Sequence, residues 1–255
     1  MVEKAEKRGI LRSGMTIIEA TTGNTGIALA MVAVVKGYRL MAVMPENMSR
    51  ERKQMVQAFG AEVVLTPVKD GPAGAINKRD QLAKEIIGSW VPGQFENGDN
   101  VLAHQFGLGQ EIIKQTKGKV DAFVAGVGTG GTLIGVARAL KKVNPEVLIV
   151  AVEPAESAVL SGGKPGMHNI QGIGEGFIPR LVDLKLIDRV VKVSTREAEK
   201  TARSLARTEG ILAGTSSGAN VAASLVVARR LGREKKVVTI LSDRGERYLS
   251  QGLFE

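Results

Sequence analysis

The chain has 255 residues, 44% of them hydrophobic and 24% charged, which is an ordinary globular composition with enough length for two modest α/β domains. It has no cysteine and only two histidines, His104 and His168, which excludes disulfides, thiolate chemistry and a histidine-rich metal site. The formal net charge of +9 favours anionic ligands, but aromatics are only 4% and do not alternate with basic residues, and no apolar run reaches the roughly 18 residues of a membrane span, so neither nucleic acid nor a bilayer is an expected partner.

Short apolar runs alternate with helical periodicity along the whole chain. A strand at 16–20 enters the turn Thr21-Thr22-Gly23-Asn24-Thr25-Gly26 and then an apolar helix at 26–35. Strand 40–43, helix 50–59, strand 62–65 and helix 74–87 follow. The polar stretch 89–100, with Pro92, Gly93 and Gly98, is the predicted boundary between a smaller domain, 1–100, and a larger one, 101–255. The second domain is predicted to hold strand 122–125, a glycine turn at 126–132, helix 132–142 and strand 148–152. A long irregular stretch at 155–180 precedes strand 190–193, helix 196–209, a turn at 213–218, helix 218–231 and strand 237–241. The basic cluster Arg229, Arg230, Arg233, Lys235 and Lys236 reads as an exposed connection before that last strand. Strands alternating with helices predict two doubly wound α/β domains with mostly parallel sheets and right-handed crossovers. The first residues are charged and lack the apolar core of a signal peptide, so the cytoplasm is the expected compartment.

Three turns suit an anionic ligand. Residues 21–26 join a strand to a helix and offer backbone N–H groups, a helix N-terminus and the side chains of Thr22, Asn24 and Thr25, more than a simple helix cap requires. In Gly126-Val127-Gly128-Thr129-Gly130-Gly131-Thr132, four glycines let the backbone wrap closely around a ligand and two hydroxyls suit phosphate oxygens. The same turn matches G-x-G-x-x-G, with Glu153 about 20 residues on, so a dinucleotide-dependent oxidoreductase stays open on that motif alone. The third, Ala213-Gly214-Thr215-Ser216-Ser217-Gly218, fits a ligand site and a tightly packed helix start equally well.

In this order and spacing the turns resemble the cysteine synthase (O-acetylserine sulfhydrylase) family, A-type. The resemblance runs through Met44-Pro45-Glu46-Asn47-Met48-Ser49, Gln94-Phe95-Glu96-Asn97, Glu153-Pro154, Gln171-Gly172-Ile173-Gly174 and Gly245-Glu246-Arg247-Tyr248. It implies a tryptophan-synthase-β-like fold whose two domains enclose a cleft for pyridoxal phosphate. The phosphate would lie on Gly128, Thr129, Gly130, Gly131 and Thr132. Asn24 would meet the ring hydroxyl and Ser216 the pyridine nitrogen. Thr21, Thr22, Gly23, Thr25 and Gln94 would receive the α-carboxylate of an amino-acid substrate, and Gly172 would face that substrate. The implied reaction is replacement of acetate on O-acetyl-L-serine by sulfide. A homodimer and the C-terminal tail of serine acetyltransferase are the implied protein partners.

The resemblance also implies a Schiff-base lysine in a Ser-x-Lys-Asp-Arg motif preceding the helix that begins near Val2, together with N-terminal strands. Neither occurs in these residues, so the expectation is an N-terminally truncated chain with no catalytic residue of its own and at best non-covalent cofactor binding. Asn77-Lys78-Arg79-Asp80 is superficially similar but falls on a predicted helix and reads as a solvated charged face. A non-catalytic binding role is the second possibility. Departures from the family pattern are Thr22 for serine, Gly107 and Leu108 for a Thr-Thr pair, and Glu175 for a small residue beside the substrate face.

Overall fold

The aliphatic runs predicted as strands pair in parallel with one another and with an added short strand at 89–90, giving two four-stranded, wholly parallel sheets. Most are joined through helices, but the strand at 148–154 leads to the one at 189–193 through the irregular stretch 155–188. The computed structural model describes residues 1–255. They divide into one unit of Met1–Gln94 with Arg247–Gly252 and another of Phe95–Glu246 with Leu253–Glu255.

In the first unit, β1 (Thr16–Ala20), β2 (Arg39–Pro45), β3 (Glu62–Thr66) and β4 (Ser89–Trp90) take the order β3-β2-β1-β4. All five residues of β1 are buried because helices cover both faces of the sheet. Ile17 packs with residues of α1 (Val2–Lys7), α2 (Asn24–Lys36) and α3 (Arg50–Ala58), while Ile18 and Ala20 pack with Ala75 of α4 (Gly71–Glu85). Gly37 ends α2 in the left-handed conformation, and the Ser49 side chain caps α3 by accepting from the Arg52 amide.

The second unit repeats the plan. Strands β5 (Ala122–Gly126), β6 (Leu148–Pro154), β7 (Arg189–Val193) and β8 (Val237–Thr239) take the order β7-β6-β5-β8. Its helices are α5 (Gly98–Phe106), α6 (Leu108–Thr116), α7 (Gly131–Val143), α8 (Thr195–Glu209) and α9 (Thr215–Leu231). Burial of β5 and β6 on both faces explains their unbroken aliphatic sequences.

In both sheets the first strand lies between the second and the fourth, so the order in which strands are added reverses beside it. A parallel sheet opens a crevice at the carboxyl ends of its strands at such a reversal. The turn after β1 and the turn after β5 both sit there.

The structure departs from the sequence reading in a few places. Helices α5 and α6 fill residues 98–116, to which the sequence reading assigned no element, because each is only nine residues long and α5 has few apolar positions. Asn97 caps α5, and α5 packs so tightly on α7 that a Cβ on Gly135 would lie 2.5 Å from the Val101 carbonyl oxygen. The units divide at Gln94/Phe95 rather than at residue 100, and residues 247–252 belong to the first. Strand β8 stops at Thr239 instead of 241, because the Ile240 carbonyl accepts a hydrogen bond from Asn220. Gly107 and Leu108 stand at the break between α5 and α6, where Leu108 packs against the core of the second unit. No helix is long and apolar enough to cross a membrane.

Candidate active site

The turn at the end of β1 is held by its own first residue. Thr21 is buried, and its hydroxyl oxygen accepts from the amides of Gly23 and Gly26, each at 3.0 Å. Thr21 therefore shapes the turn. The Thr22 hydroxyl, by contrast, makes no hydrogen bond within the protein. Helix α2 starts at Asn24 with no side-chain cap and no acidic residue in its first turn, leaving the positive end of its dipole uncompensated. Gly23 is required by packing as well as by conformation: at φ 149° its missing Cβ would lie 2.4 Å from Cδ of Arg52.

Gln94 follows β4 and comes to the same crevice. Its amide nitrogen Nε2 donates to the Ala20 carbonyl at 2.6 Å, and its Oε1 accepts from the Thr25 hydroxyl at 2.6 Å. Behind it, Glu19 is buried and accepts from the backbone amides of Ala20 and Gln94. Burial pushes the Glu19 carboxyl up to about 7, against the pull of Arg79 and the two amides. Arg79 corrects the sequence reading. Instead of lying on a solvated face it is buried, 3.5 Å from Glu19 and bonded to Asp80, because the inward side of α4 faces the one charged residue of β1. Thus Thr25 and Gln94 are brought together, with Glu19 as their support. Asn24, on the same turn, accepts through Oδ1 from the Arg247 guanidinium.

In the second unit β5 runs into residues 126–132 and then α7. Gly130 takes φ 84°, and α7 begins after it with no side-chain cap and no acid in its first turn. The loop is flanked by 171–176. The Gly174 amide donates to the Val127 carbonyl at 3.0 Å, and a Cβ on Gly128 would lie 2.3 Å from the Gly172 carbonyl oxygen. Gly172 itself is exposed, with φ 92°. The Thr129 hydroxyl oxygen accepts from Asn100 Nδ2 (3.0 Å) and the Gly131 amide (3.2 Å), while the Thr132 hydroxyl is 3.2 Å from Nε2 of His104. Burial pulls the His104 pKa below its ordinary value, so the ring is neutral near pH 7.

Across the β5/β8 crevice, Asn220 of α9 accepts from the Gly126 amide at 2.7 Å and donates to the Ile240 carbonyl at 2.8 Å. Ser217 accepts from the Ser242 amide at 3.0 Å. These bonds fix the first turns of α9 at the strand ends and bring Ser216 there. Ser216 is 2% exposed, yet its hydroxyl makes no hydrogen bond within the protein. Glu153, about 20 residues beyond the glycine turn, is buried and accepts from the Leu160 and Ser161 amides and the Ser161 hydroxyl, so it organises the following loop.

Residues 1–243 match the profile of a family described as pyridoxal-phosphate dependent enzyme. Over all 255 residues the chain is 50% identical to a cysteine synthase of Staphylococcus aureus and covers 82% of that protein. The chain belongs to the cysteine synthase family of pyridoxal-phosphate dependent enzymes. A solved cysteine synthase of Entamoeba histolytica is 45% identical with a TM-score of 0.93, the match covering 99% of this chain and 75% of that one. An O-acetylserine dependent cystathionine β-synthase from Helicobacter pylori is 43% identical with a TM-score of 0.95, covering 100% of this chain and 83% of that one.

Two features of the second unit fit the family's cofactor. The uncapped start of α7 with its threonine hydroxyls is a donor set for a phosphate, and the Ser216 hydroxyl, without a hydrogen bond within the protein, can donate to a ring nitrogen. The sequence reading missed Glu19, Asn100, Asn220 and Arg247. Each acts on a site residue through contacts distant in sequence, so no local motif marks it. No cluster of three or more His, Asp or Glu residues is placed to hold a metal ion.

Proposed function

We propose that the chain carries the cofactor and substrate sites of a cysteine synthase that replaces acetate on O-acetyl-L-serine with sulfide, yielding L-cysteine. In the second unit, residues 128–132 would hold the phosphate of pyridoxal phosphate, with Thr129 and Thr132 as hydroxyl donors, and Ser216 would donate to the pyridine nitrogen. In the first unit, Asn24 would meet the ring hydroxyl. Thr22, Gly23, Thr25 and Gln94 would receive the substrate carboxylate, and Thr21 would shape the turn that does so. Gly172 would line the substrate side of the loop at 171–176. When bound, the cofactor supplies the electron sink that acidifies the substrate α-carbon and lets the β-substituent leave.

What the chain's own groups contribute follows from their chemistry. Helix starts with no acidic residue hold a phosphate and a carboxylate by N–H groups and dipole. A serine hydroxyl gives the ring nitrogen a neutral hydrogen bond without forcing its protonation, which tempers the sink and suits β-elimination over transamination. Moving the α-proton needs a positioned base. None of the three turns carries a lysine, so a polypeptide of these 255 residues is expected to bind the cofactor without a covalent link and to turn over only in trace amounts. Supporting roles follow from the same site. The carboxylate turn also fits a peptide C-terminus such as the tail of serine acetyltransferase, and the expected setting is a homodimer in the cytoplasm.

The observation that carries this reading is the hydroxyl of Ser216, a buried residue, which makes no hydrogen bond within the protein and lies on the same strand crevice as the uncapped glycine loop. Titration of the chain with pyridoxal phosphate, followed by absorbance and fluorescence, tests it. Saturable binding is expected, weakened about tenfold or more by Thr132→Ala and altered in spectrum by Ser216→Ala. Parallel titrations with a dinucleotide and with a tail peptide should give no binding and carboxylate-dependent binding, respectively. Saturation by the dinucleotide and not by pyridoxal phosphate would refute the proposal.

A further inference from the structure

On its β2 side β1 pairs along all five residues, but on its β4 side the ladder covers only Thr16 and Ile17. The Thr16 amide donates to the Gly88 carbonyl on that side. Alternation along the strand turns the N–H and carbonyl of Ala20 the same way, beyond the end of β4. Side chains take the place of the missing strand. The Ala20 amide donates to Oε1 of Glu19 at 2.9 Å, and the Ala20 carbonyl accepts from Nε2 of Gln94 at 2.6 Å. Oε2 of Glu19 accepts from the Gln94 backbone amide at 3.1 Å. Held in this way, the Gln94 carboxamide reaches the Thr25 hydroxyl through its Oε1 at 2.6 Å.

Both Glu19 oxygens are therefore acceptors, one for each backbone amide. A carboxamide or a protonated carboxyl presents a donor at one of those oxygens, against an N–H, and loses that tie. The charge is costly here, because Glu19 is fully buried in a strand covered on both faces and is the one charged residue of β1. The charged groups set against it come from α4. Arg79 lies 3.5 Å away, and Asp80 accepts from Nε and Nη2 of the same guanidinium at 2.9 and 2.7 Å. We propose that Glu19 is a positioning residue for the carboxylate subsite, which in its ionised form fixes the Gln94 backbone so that the Gln94 carboxamide spans Ala20 and Thr25. This rests on the proposed function where it names the substrate carboxylate as the ligand. The hold on Gln94 does not. By charge alone, a carboxylate behind an anion site repels the anion, so neutralising Glu19 would tighten binding. Positioning predicts the opposite sign.

The test uses the full chain in two arms. Without ligand or cofactor, the amide proton resonance of Gln94 should move upfield in Glu19→Gln. In the parent it should move the same way as pH falls through about 7, where Glu19 takes up its proton. Where Glu19→Gln does not fold, this titration of the parent decides alone. With pyridoxal phosphate present, Glu19→Gln should weaken binding of O-acetyl-L-serine by about tenfold, the size of one charge-assisted hydrogen bond. In a Gln94→Ala background the same change should add nothing. A Gln94 resonance that stays in place, tighter binding in Glu19→Gln, or an undiminished effect of Glu19→Gln in the Gln94→Ala background would each overturn the proposal. If Gln94→Ala and Thr25→Ala both leave the affinity for O-acetyl-L-serine untouched, the carboxylate reading of the proposed function falls instead, and the ligand-free arm still decides the hold on Gln94.

Discussion

Replacing Asn220 by alanine removes one side chain that serves two backbone groups at once. Asn220 is 1% exposed, and it accepts from the Gly126 amide at 2.7 Å while donating to the Ile240 carbonyl at 2.8 Å. These groups belong to the segments leaving β5 and β8, whose ladder ends at Thr239, so the side chain takes over where the sheet stops. Each backbone group left without a partner costs about 1–2 kcal/mol, so Asn220→Ala should destabilise the second unit by roughly 2–4 kcal/mol. Aspartate at this position keeps an acceptor for Gly126 but sets a carboxylate against the Ile240 oxygen, so Asn220→Asp should be at least as damaging despite its matching shape. Urea denaturation followed by far-ultraviolet circular dichroism measures the difference. Hydrogen exchange in β5 and β8 should localise it. Because Gly126 begins the glycine loop, affinity for pyridoxal phosphate should fall in the same variants. A loss under about 0.5 kcal/mol in Asn220→Ala, or an aspartate variant as stable as the parent, would refute the bridging argument.

Other perturbations separate packing from ionisation. Gly128→Ala places a methyl group against the Gly172 carbonyl oxygen, a backbone atom that cannot swing aside, so proteolysis within 155–180 should accelerate and cofactor affinity should drop; unchanged digestion would contradict the contact. Glu175 is partly buried and makes no hydrogen bond or ion pair, and burial pushes its carboxyl up to about 7. Its folded pKa lies above the unfolded one, so the native state loses stability as pH rises through about 4.5 to 7, and Glu175→Ala should gain on the parent over that interval in thermal melts. For buried His104 the folded pKa is lowered, so the unfolded chain takes up a proton first as pH falls below about 6.5. Stability should therefore decline on that side, and His104→Gln should flatten the decline.

The sequence by itself determined the elements and the turns. Strand and helix periodicity, glycine spacing and capping residues act over a few positions, which is why β1 appears at its predicted bounds and why residues 21–26, 126–132 and 213–218 fall between a strand or bridge and a helix. What residue neighbours do locally could not reveal the supports of the site. Glu19 meets Gln94 across 75 positions, Gly126 meets Asn220 across 94, and Asn24 meets Arg247 across 223. Tertiary packing decides those meetings. It reversed the environment of Arg79, from a solvated helix face to a buried partner of Glu19. Helical and strand periods record which face of an element is buried. They carry no information about which distant polar group shares that interior, and only the tertiary structure supplies it.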